Sequence, residues 1–340
     1  MSLNIVNSFQ TIGAVGGWKE AGRTLLGVAG DAVSVVSLPP KRYFQLLWYP
    51  LAVGTYDSVL TLNSDVGLNY SERRANNGGA DATVVNQADI LIHTNETTPV
   101  FGTYFLDNLA LQEKLLQGET VRQSVAGAGT ATNRFENYGK HAQITNPIDT
   151  ITMNNTNTGD YAIGSELVVL EWDPNDTHSD NFWEQLASVT TTGALATVET
   201  PIVTPKKYNW IQVYGPGFSI ASNHQMRLGT TTIDTGLNYA GRRSLNNATD
   251  SAQINQDDIR IHDNLGDDWL YANLYFVNLA GQEKLITGHS VAGVDGVNNA
   301  PNRFDFSGKW ADTNLADIFQ IAPDSGTFDV GTKITWWGHD

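Results

Sequence analysis

Tyr208-Asn-Trp-Ile-Gln-Val-Tyr214, preceded by Val203-Thr-Pro-Lys-Lys207, has the pattern of a β-strand and of the turn that opens it. Trp210, Gln212 and Tyr214 fall on one face of an extended chain and Ile211 and Val213 on the other, the period of two that a strand imposes. Proline lacks a ladder donor, so a Pro-basic-basic turn should release the chain into a strand just beyond it. The same arrangement stands 165 positions earlier, where Leu38-Pro-Pro-Lys-Arg42 leads into Tyr43-Phe-Gln-Leu-Leu-Trp-Tyr49.

The rest of the chain repeats in the same way. Gly67-Leu-Asn-Tyr70, Arg73-Arg74, Asn86-Gln87, Asn133-Arg-Phe135 and Gly139-Lys140 return as Gly236-Leu-Asn-Tyr239, Arg242-Arg243, Asn255-Gln256, Asn302-Arg-Phe304 and Gly308-Lys309, displaced by 169. Asp107-Asn-Leu-Ala-Leu-Gln-Glu-Lys-Leu115 returns as Val277-Asn-Leu-Ala-Gly-Gln-Glu-Lys-Leu285, displaced by 170. One long unit repeated once is a duplicated domain, unlike a solenoid of many short units. Residues 18–173 and 182–340 are the two expected domains, 174–181 the linker, and 1–17 an arm without a counterpart. Pro174-Asn-Asp-Thr-His-Ser-Asp180 is polar and spans at most about 25 Å extended, so the domains must be neighbours.

Short β-branched and aromatic runs broken by Gly, Asn, Asp and Pro predict eight or nine strands per copy. Beside Tyr43 to Tyr49, the candidates in the first copy are Val33 to Val36, Asp57 to Leu62, Asn69 to Ala75, Asp89 to His93, Val100 to Asn108, Lys114 to Val121, Arg134 to Lys140, Ile148 to Met153 and Glu166 to Trp172. In the second they include Gln225 to Leu228, Ile259 to His262, Asn273 to Asn278, Arg303 to Lys309 and Lys333 to Trp337. Their spacing predicts an all-β fold: two tandem antiparallel sandwiches, jelly-roll-like. Gly164 and Gly331 should turn the chain into each last strand, with Tyr161 and Phe328 plugging the core beneath.

The chain has 340 residues, so two domains are the expected count, each large enough to bury a core without staples. There are no cysteines, which excludes disulfides and thiolate metal sites. Twenty basic against 36 acidic residues, a net charge of −16, oppose attraction to nucleic acid or anionic lipid. No apolar run is long enough for a membrane span, and the first residues lack the pattern of a signal peptide. Charged residues make up only 16% of the chain, a polar but weakly charged surface suited to packed interfaces or glycan contact.

Leu38-Pro-Pro-Lys-Arg-Tyr43, Gly67-Leu-Asn-Tyr-Ser-Glu-Arg73, the Asn-Arg-Phe segments and Gly159-Asp-Tyr-Ala-Ile-Gly-Ser165 resemble a domain common among structural proteins of tailed phages and related viruses. The resemblance covers residues 18–173 and 182–340. It implies a jelly-roll sandwich at a virion surface: a capsid decoration, head fibre or tail appendage, assembled in the host cytoplasm. It also implies a homo-oligomer, for instance a trimer, bound to other virion proteins such as the major capsid protein, and it carries over no catalytic residues. The second copy departs from the pattern, with Thr327 in place of the acidic residue of Gly-Asp and a looser Ala187 to Thr197.

Several residues offer chemistry. His93 and His262 end Ile-Leu-Ile-His and Ile-Arg-Ile-His, each without a second ligand at metal-binding spacing, and read as strand-end histidines facing solvent or capping a backbone group. Glu113-Lys114 and Glu283-Lys284 invite an acid–base reading, but adjacent strand residues point to opposite faces, which favours salt bridges to the duplicated arginines instead. Arg73-Arg74 and Arg242-Arg243 could clamp a carboxylate or phosphate; the simpler expectation is that one of each pair meets Asp81 or Asp250 within its own domain. Arg134 and Arg303 belong to the same set of repeated residues. Asp257-Asp258 and Asp267-Asp268 could hold Ca²⁺ but lack an EF-hand's spacing. Trp48, Trp210 and Tyr214 fit core or interface positions rather than sugar platforms. The glycine-rich Val125 to Thr132 and Val291 to Asn298 read as flexible rim loops, without a phosphate-binding sequence.

No catalytic residue, cofactor or metal is therefore expected, and neither nucleic acid nor membrane is an expected partner. The functional expectation is a non-enzymatic capsid decoration or cement. The alternatives are a tail-associated or receptor-binding adhesin for a host glycan, and a free carbohydrate-binding module.

Overall fold

A computed structural model describes residues 17–220, 222–265, 269–293 and 300–340. The expected arm (1–17, all but its last residue), Asp267-Asp268 and most of the Val291 to Asn298 loop lie outside the described residues.

The first half contains β1 (Lys19–Leu25), β2 (Ala32–Val36), β3 (Tyr43–Tyr49), β4 (Ala52–Val53), β5 (Tyr56–Leu62), β6 (Tyr70–Asn76) and β7 (Ala82–Gln87). It continues with β8 (Ile90–Glu96), β9 (Val100–Asp107), β10 (Lys114–Arg122), β11 (Asn133–His141), β12 (Thr150–Asn154), β13 (Asp160–Tyr161) and β14 (Glu166–Trp172). The second half contains β15 (Glu184–Thr190), β16 (Val198–Glu199), β17 (Tyr208–Gly215), β18 (Ser222–Thr230), β19 (Thr232–Ile233), β20 (Tyr239–Leu245) and β21 (Ser251–Gln256). Then follow β22 (Ile259–Leu265), β23 (Trp269–Val277), β24 (Lys284–Gly293), β25 (Asn302–Trp310), β26 (Ile318–Pro323) and β27 (Lys333–His339).

These strands build two tandem antiparallel β-sandwiches with the same plan. An eight-stranded sheet runs β1-β14-β3-β9-β10-β11-β6-β7 in one and β15-β27-β17-β23-β24-β25-β20-β21 in the other. A smaller sheet covers its inner face, β2-β12-β5-β8 in one and β16-β26-β18 with β19 and β22 in the other. Among the described residues the strands outnumber the eight or nine expected per copy. The additions are edge strands, of which β7 and β21 bury no residue and β15 only Ala187, and two-residue bridges too short to show a period.

The core of the first sandwich closes around Trp48, Leu60, Ile92, Tyr104, Met153 and Tyr161. The second closes around Ile211, Met226, Ile261, Phe276, Phe328 and Trp336. Trp210, Gln212 and Tyr214 lie on the outward face of β17 and Ile211 and Val213 on the inward one, as their alternation requires. Gly164 and Gly331 stand at φ +91° and +93°, where a side chain would be strained, and each feeds the last strand of its domain.

The repeated Gly-Leu-Asn-Tyr sequence is a structural device. Asp65 and Asp234 accept the backbone N–H of Gly67 and Gly236 at 2.8 Å, and the side-chain amides of Asn69 and Asn238 at 2.8 Å. This fixed turn delivers Tyr70 and Tyr239 into the cores. Their hydroxyls accept the N–H of Leu62 and Leu228, at 2.9 and 3.0 Å, and donate back to nearby carbonyls.

Candidate functional site

The outward faces of the two large sheets pack against each other. Leu47, Tyr49, Phe101, Val121, Val168 and Leu170 of the first domain bury themselves against Phe182, Trp183, Tyr208, Tyr275, Val277 and Leu285 of the second. The two large and two small sheets therefore stack in one body, small-large-large-small. Each fully buried large apolar side chain contributes roughly 1.5–3 kcal/mol relative to exposure. That makes the apolar part of the contact its main source of stability, because buried ion pairs must first offset their own dehydration.

Polar groups complete this interface. Tyr208 donates its hydroxyl to Glu166 Oε2 at 2.6 Å, and Lys207 pairs with the same carboxylate. Trp183 Nε1 donates to Gln45 Oε1 at 3.2 Å. Arg242 Nε donates to the Thr132 carbonyl at 2.6 Å, and the hydroxyls of Thr132 and Ser307 meet at 3.0 Å. Lys309 Nζ, fully buried, donates to the carbonyls of Gln123 and Val125. Gly127 N donates to Glu283 Oε1 at 2.5 Å, and Asn255 N to the Ala128 carbonyl at 2.9 Å.

An ionic network sits at the centre of the polar side. Arg134 binds Asp250 with Nη2–Oδ1 at 2.7 Å and also pairs with Glu136. Arg303 meets Asp305 at 2.7 Å, and His289 bridges Asp305 at 2.8 Å and Glu119 at 3.2 Å. Glu119, whose other bond is from the Thr287 hydroxyl, is buried, and burial raises its carboxyl despite His289. Burial opposes the charged imidazole of His289, but Glu119 and then Asp305 outweigh it and push His289 up to about 9. The close approach leaves no room at Gly78, where a Cβ would fall 2.3 Å from Asp250 Oδ1.

The residues singled out from sequence are thus mostly placed in ion pairs or backbone contacts. Arg73 meets Asp81 at 3.6 Å within its own domain, and Arg74 binds Glu72 at 2.5 Å. Asp250 departs from expectation: its partner is Arg134 of the first domain, not Arg242 or Arg243, because the domain contact brings β11 to it. Arg243 pairs instead with Asp263 at 3.3 Å. Glu113 and Glu283 meet Lys140 and Lys309 rather than arginines, since β11 and β25, not β6 and β20, are the strands beside them. Lys114 and Lys284 turn inward and donate to the carbonyls of Leu109 and Leu279 at 2.6 and 2.8 Å. Burial brings Lys284 down to about 8.

Three further expectations are corrected. His93 and His262 do not face solvent: both are fully buried, because their strands belong to the small sheets and turn these side chains into the core. Burial drives His93 well below the usual histidine range and His262 to about 4, so both are neutral. The Val125 to Thr132 segment is no free rim loop but part of the domain contact. Tyr214 is exposed and leans on Trp269, with ring centroids at 5.9 Å, because the first domain covers only the other half of that sheet face. Trp48 is core and Trp210 is interface. Asp257 and Asp258 lie beside Arg227 at 2.8 and 3.8 Å, and among the described residues no group of three or more His, Asp or Glu could hold a metal ion. No helix among them is long and apolar enough to cross a membrane.

Sequence reading missed a groove of about 690 Å³ on the uncovered half of the first domain's large sheet. Trp18, Tyr43, Phe105, Leu115, Tyr138 and Trp172 line it, with Arg73, Asp107, Gln117 and Lys140 among the polar members. Tyr43 stacks on Trp172 with centroids at 5.5 Å, and Trp18 lies between Trp172 and Phe105 at 6.1 and 6.0 Å. Of β3 only Tyr43 and Phe44 reach the groove, and no local sequence signal marks it, because its other aromatics come from separate segments.

No protein-family model and no curated protein matches the chain. Among solved structures it is similar to mouse laminin alpha1 chain, domains LG4-5, at 9% identity over 96% of this chain and 91% of that one, with a TM-score of 0.18. A second similarity is to OmpTdeltaL8, a loop L8 deletion mutant of an outer membrane protein of Vibrio cholerae, at 9% identity over 90% and 100% of the two chains, with a TM-score of 0.10. Neither likeness carries weight for the fold, which the strand order itself defines.

Proposed function

We propose that this chain is a structural component of a virion surface that ornaments or cements the capsid of a tailed virus and has no catalytic activity. The observation that carries the structural part is the use made of its charged groups. Arg134, Asp250, Glu119, His289, Arg303 and Asp305 converge on the contact between domains rather than on an open cavity. The virion part rests on the sequence resemblance. A tandem body offers two docking surfaces, and linkage raises the effective concentration of the second once the first has bound. The partners are then other copies of the chain and the major capsid protein, and the location is the particle, assembled in the host cytoplasm.

Copy number in purified particles tests this reading by densitometry against the major shell protein. A stoichiometry of the same order as the shell protein is expected. Presence at only tail-like stoichiometry favours an appendage, and absence from particles ends the reading.

The aromatic groove favours a second reading, a host-glycan adhesin, because stacked tryptophan and tyrosine faces suit sugar rings. Glycan binding by the isolated protein, lost on Trp18→Ala or Tyr138→Ala, would support it.

A further inference from the structure

The two uncovered halves of the large sheets are related to the covered halves by the internal duplication. Strand register makes Trp18, Phe105 and Leu115 the counterparts of Trp183, Tyr275 and Leu285. In the second domain those three pack against the first domain, whereas in the first domain they line the open groove, with Trp18 and Phe105 at its border with the domain contact. The polar counterparts follow the same rule: Lys309 and Arg242 bind carbonyls of the first domain, while Lys140 and Arg73 lie in the groove.

The opposite surface is also duplicated. The first domain presents Tyr49, Phe101 and Val121 to the second. Their counterparts in the second domain are Tyr214, Tyr271 and Val291, which stand 39%, 44% and 41% exposed. Each domain thus has one receiving half and one inserting half, and the chain uses only one of each internally. A contact between two different surfaces is heterologous, and a free pair of them on one molecule propagates to a further copy.

We propose that the groove of the first domain receives the Tyr214, Tyr271 and Val291 face of another copy's second domain, joining chains head to tail in the manner of the in-chain contact. This deepens the structural reading above and rests on it. If the rotation closes, the product is a ring; if not, it is a filament. The intermolecular contact is the weaker one. Glu166, which binds Lys207 and Tyr208 in the chain, has Lys333 as its counterpart, and Lys207 has Arg42, so like charges meet where the in-chain contact has an ion pair.

Sedimentation velocity and mass photometry of the full chain at rising concentration test this, with Leu115→Arg altering the groove and Tyr271→Arg or Val291→Arg the inserting face. All three positions are exposed, and unchanged thermal midpoints verify folding. Wild-type protein should form multiples of its 37.0 kDa mass, and each variant alone should be monomeric. An equal mixture of Leu115→Arg with Tyr271→Arg should give pairs and nothing larger, since each retains one working surface. Wild-type protein that stays monomeric at every concentration, including protein that binds glycan in the groove, overturns the proposal. Variants that associate as wild type does also overturn it. Monomeric protein that still decorates particles at shell-like copy number would sink this inference and leave the proposed function standing; self-association by protein absent from particles would do the reverse.

Discussion

Arg134 on β11 of the first domain holds Asp250, just before β21 of the second, through two hydrogen bonds: Nη2–Oδ1 at 2.7 Å and Nε–Oδ2 at 3.3 Å. The two side chains are 2% and 0% exposed. A forked guanidinium–carboxylate contact this deeply buried fixes orientation as well as adding attraction. It ties β11 of one large sheet to the segment before β21 of the other.

Removing one partner leaves the other charged and dehydrated. Asp250→Ala should lower stability by about 3 kcal/mol, toward the lower end for a broken buried pair because Glu136 still contacts Arg134. Replacing both, as Arg134→Met with Asp250→Leu, should recover much of that loss. Urea midpoints of the three proteins check both statements.

His289 makes the contact dependent on pH. Its folded pKa, pushed up to about 9 against burial by Glu119 and then Asp305, exceeds the unfolded value near 6.5. The contribution is therefore fully present below about pH 6.5 and disappears as pH rises through about 9. Half of the imidazole is open to solvent, so screening limits the effect to under about 1 kcal/mol. Wild type and His289→Asn should differ in denaturation midpoint at pH 6 and converge at pH 10. A constant difference would contradict the role given to the charge.

Lys114 and Lys284 each tie down the turn before their strand, through carbonyls of Leu109 and Gln112 in one domain and Leu279 and Gln282 in the other. Lys114→Met and Lys284→Met keep most of the buried stem but leave two carbonyls unpaired. Each should cost on the order of 1–3 kcal/mol in chemical denaturation. If the lysines were spare surface charges, the cost would be near zero.

Tyr70→Phe and Tyr239→Phe remove hydroxyls that both accept and donate within the core. A loss of about 1 kcal/mol or somewhat more is expected for each, nearly equal in the two domains. Thermal midpoints of the single variants measure it.

Much of the fold was legible because duplication and period-two alternation are local signals. β14 runs from Glu166 to Trp172 as the apolar run indicates, and β17 divides its faces as Ile211 and Val213 require. The edge strands β7 and β21 were not legible, since Ala82–Gln87 and Ser251–Gln256 bury no face. The interface was half legible: Leu47 and Tyr49 on the second face of β3 call for a cover, but nothing local names Tyr208 or Tyr275 as that cover. Its polar part could not be read at all, because Arg134 and Asp250 are 116 positions apart and their meeting depends on how two finished sheets dock. The expectation that Asp250 serves its own domain failed for that reason.

The two sandwiches form one body joined through their large sheets. Differential scanning calorimetry of the whole chain addresses this most directly. A single transition, with calorimetric and van't Hoff enthalpies equal for all 340 residues and its midpoint lowered as a whole by Asp250→Ala, is the predicted result. Two separable transitions, of which Asp250→Ala shifts one or neither, would contradict it.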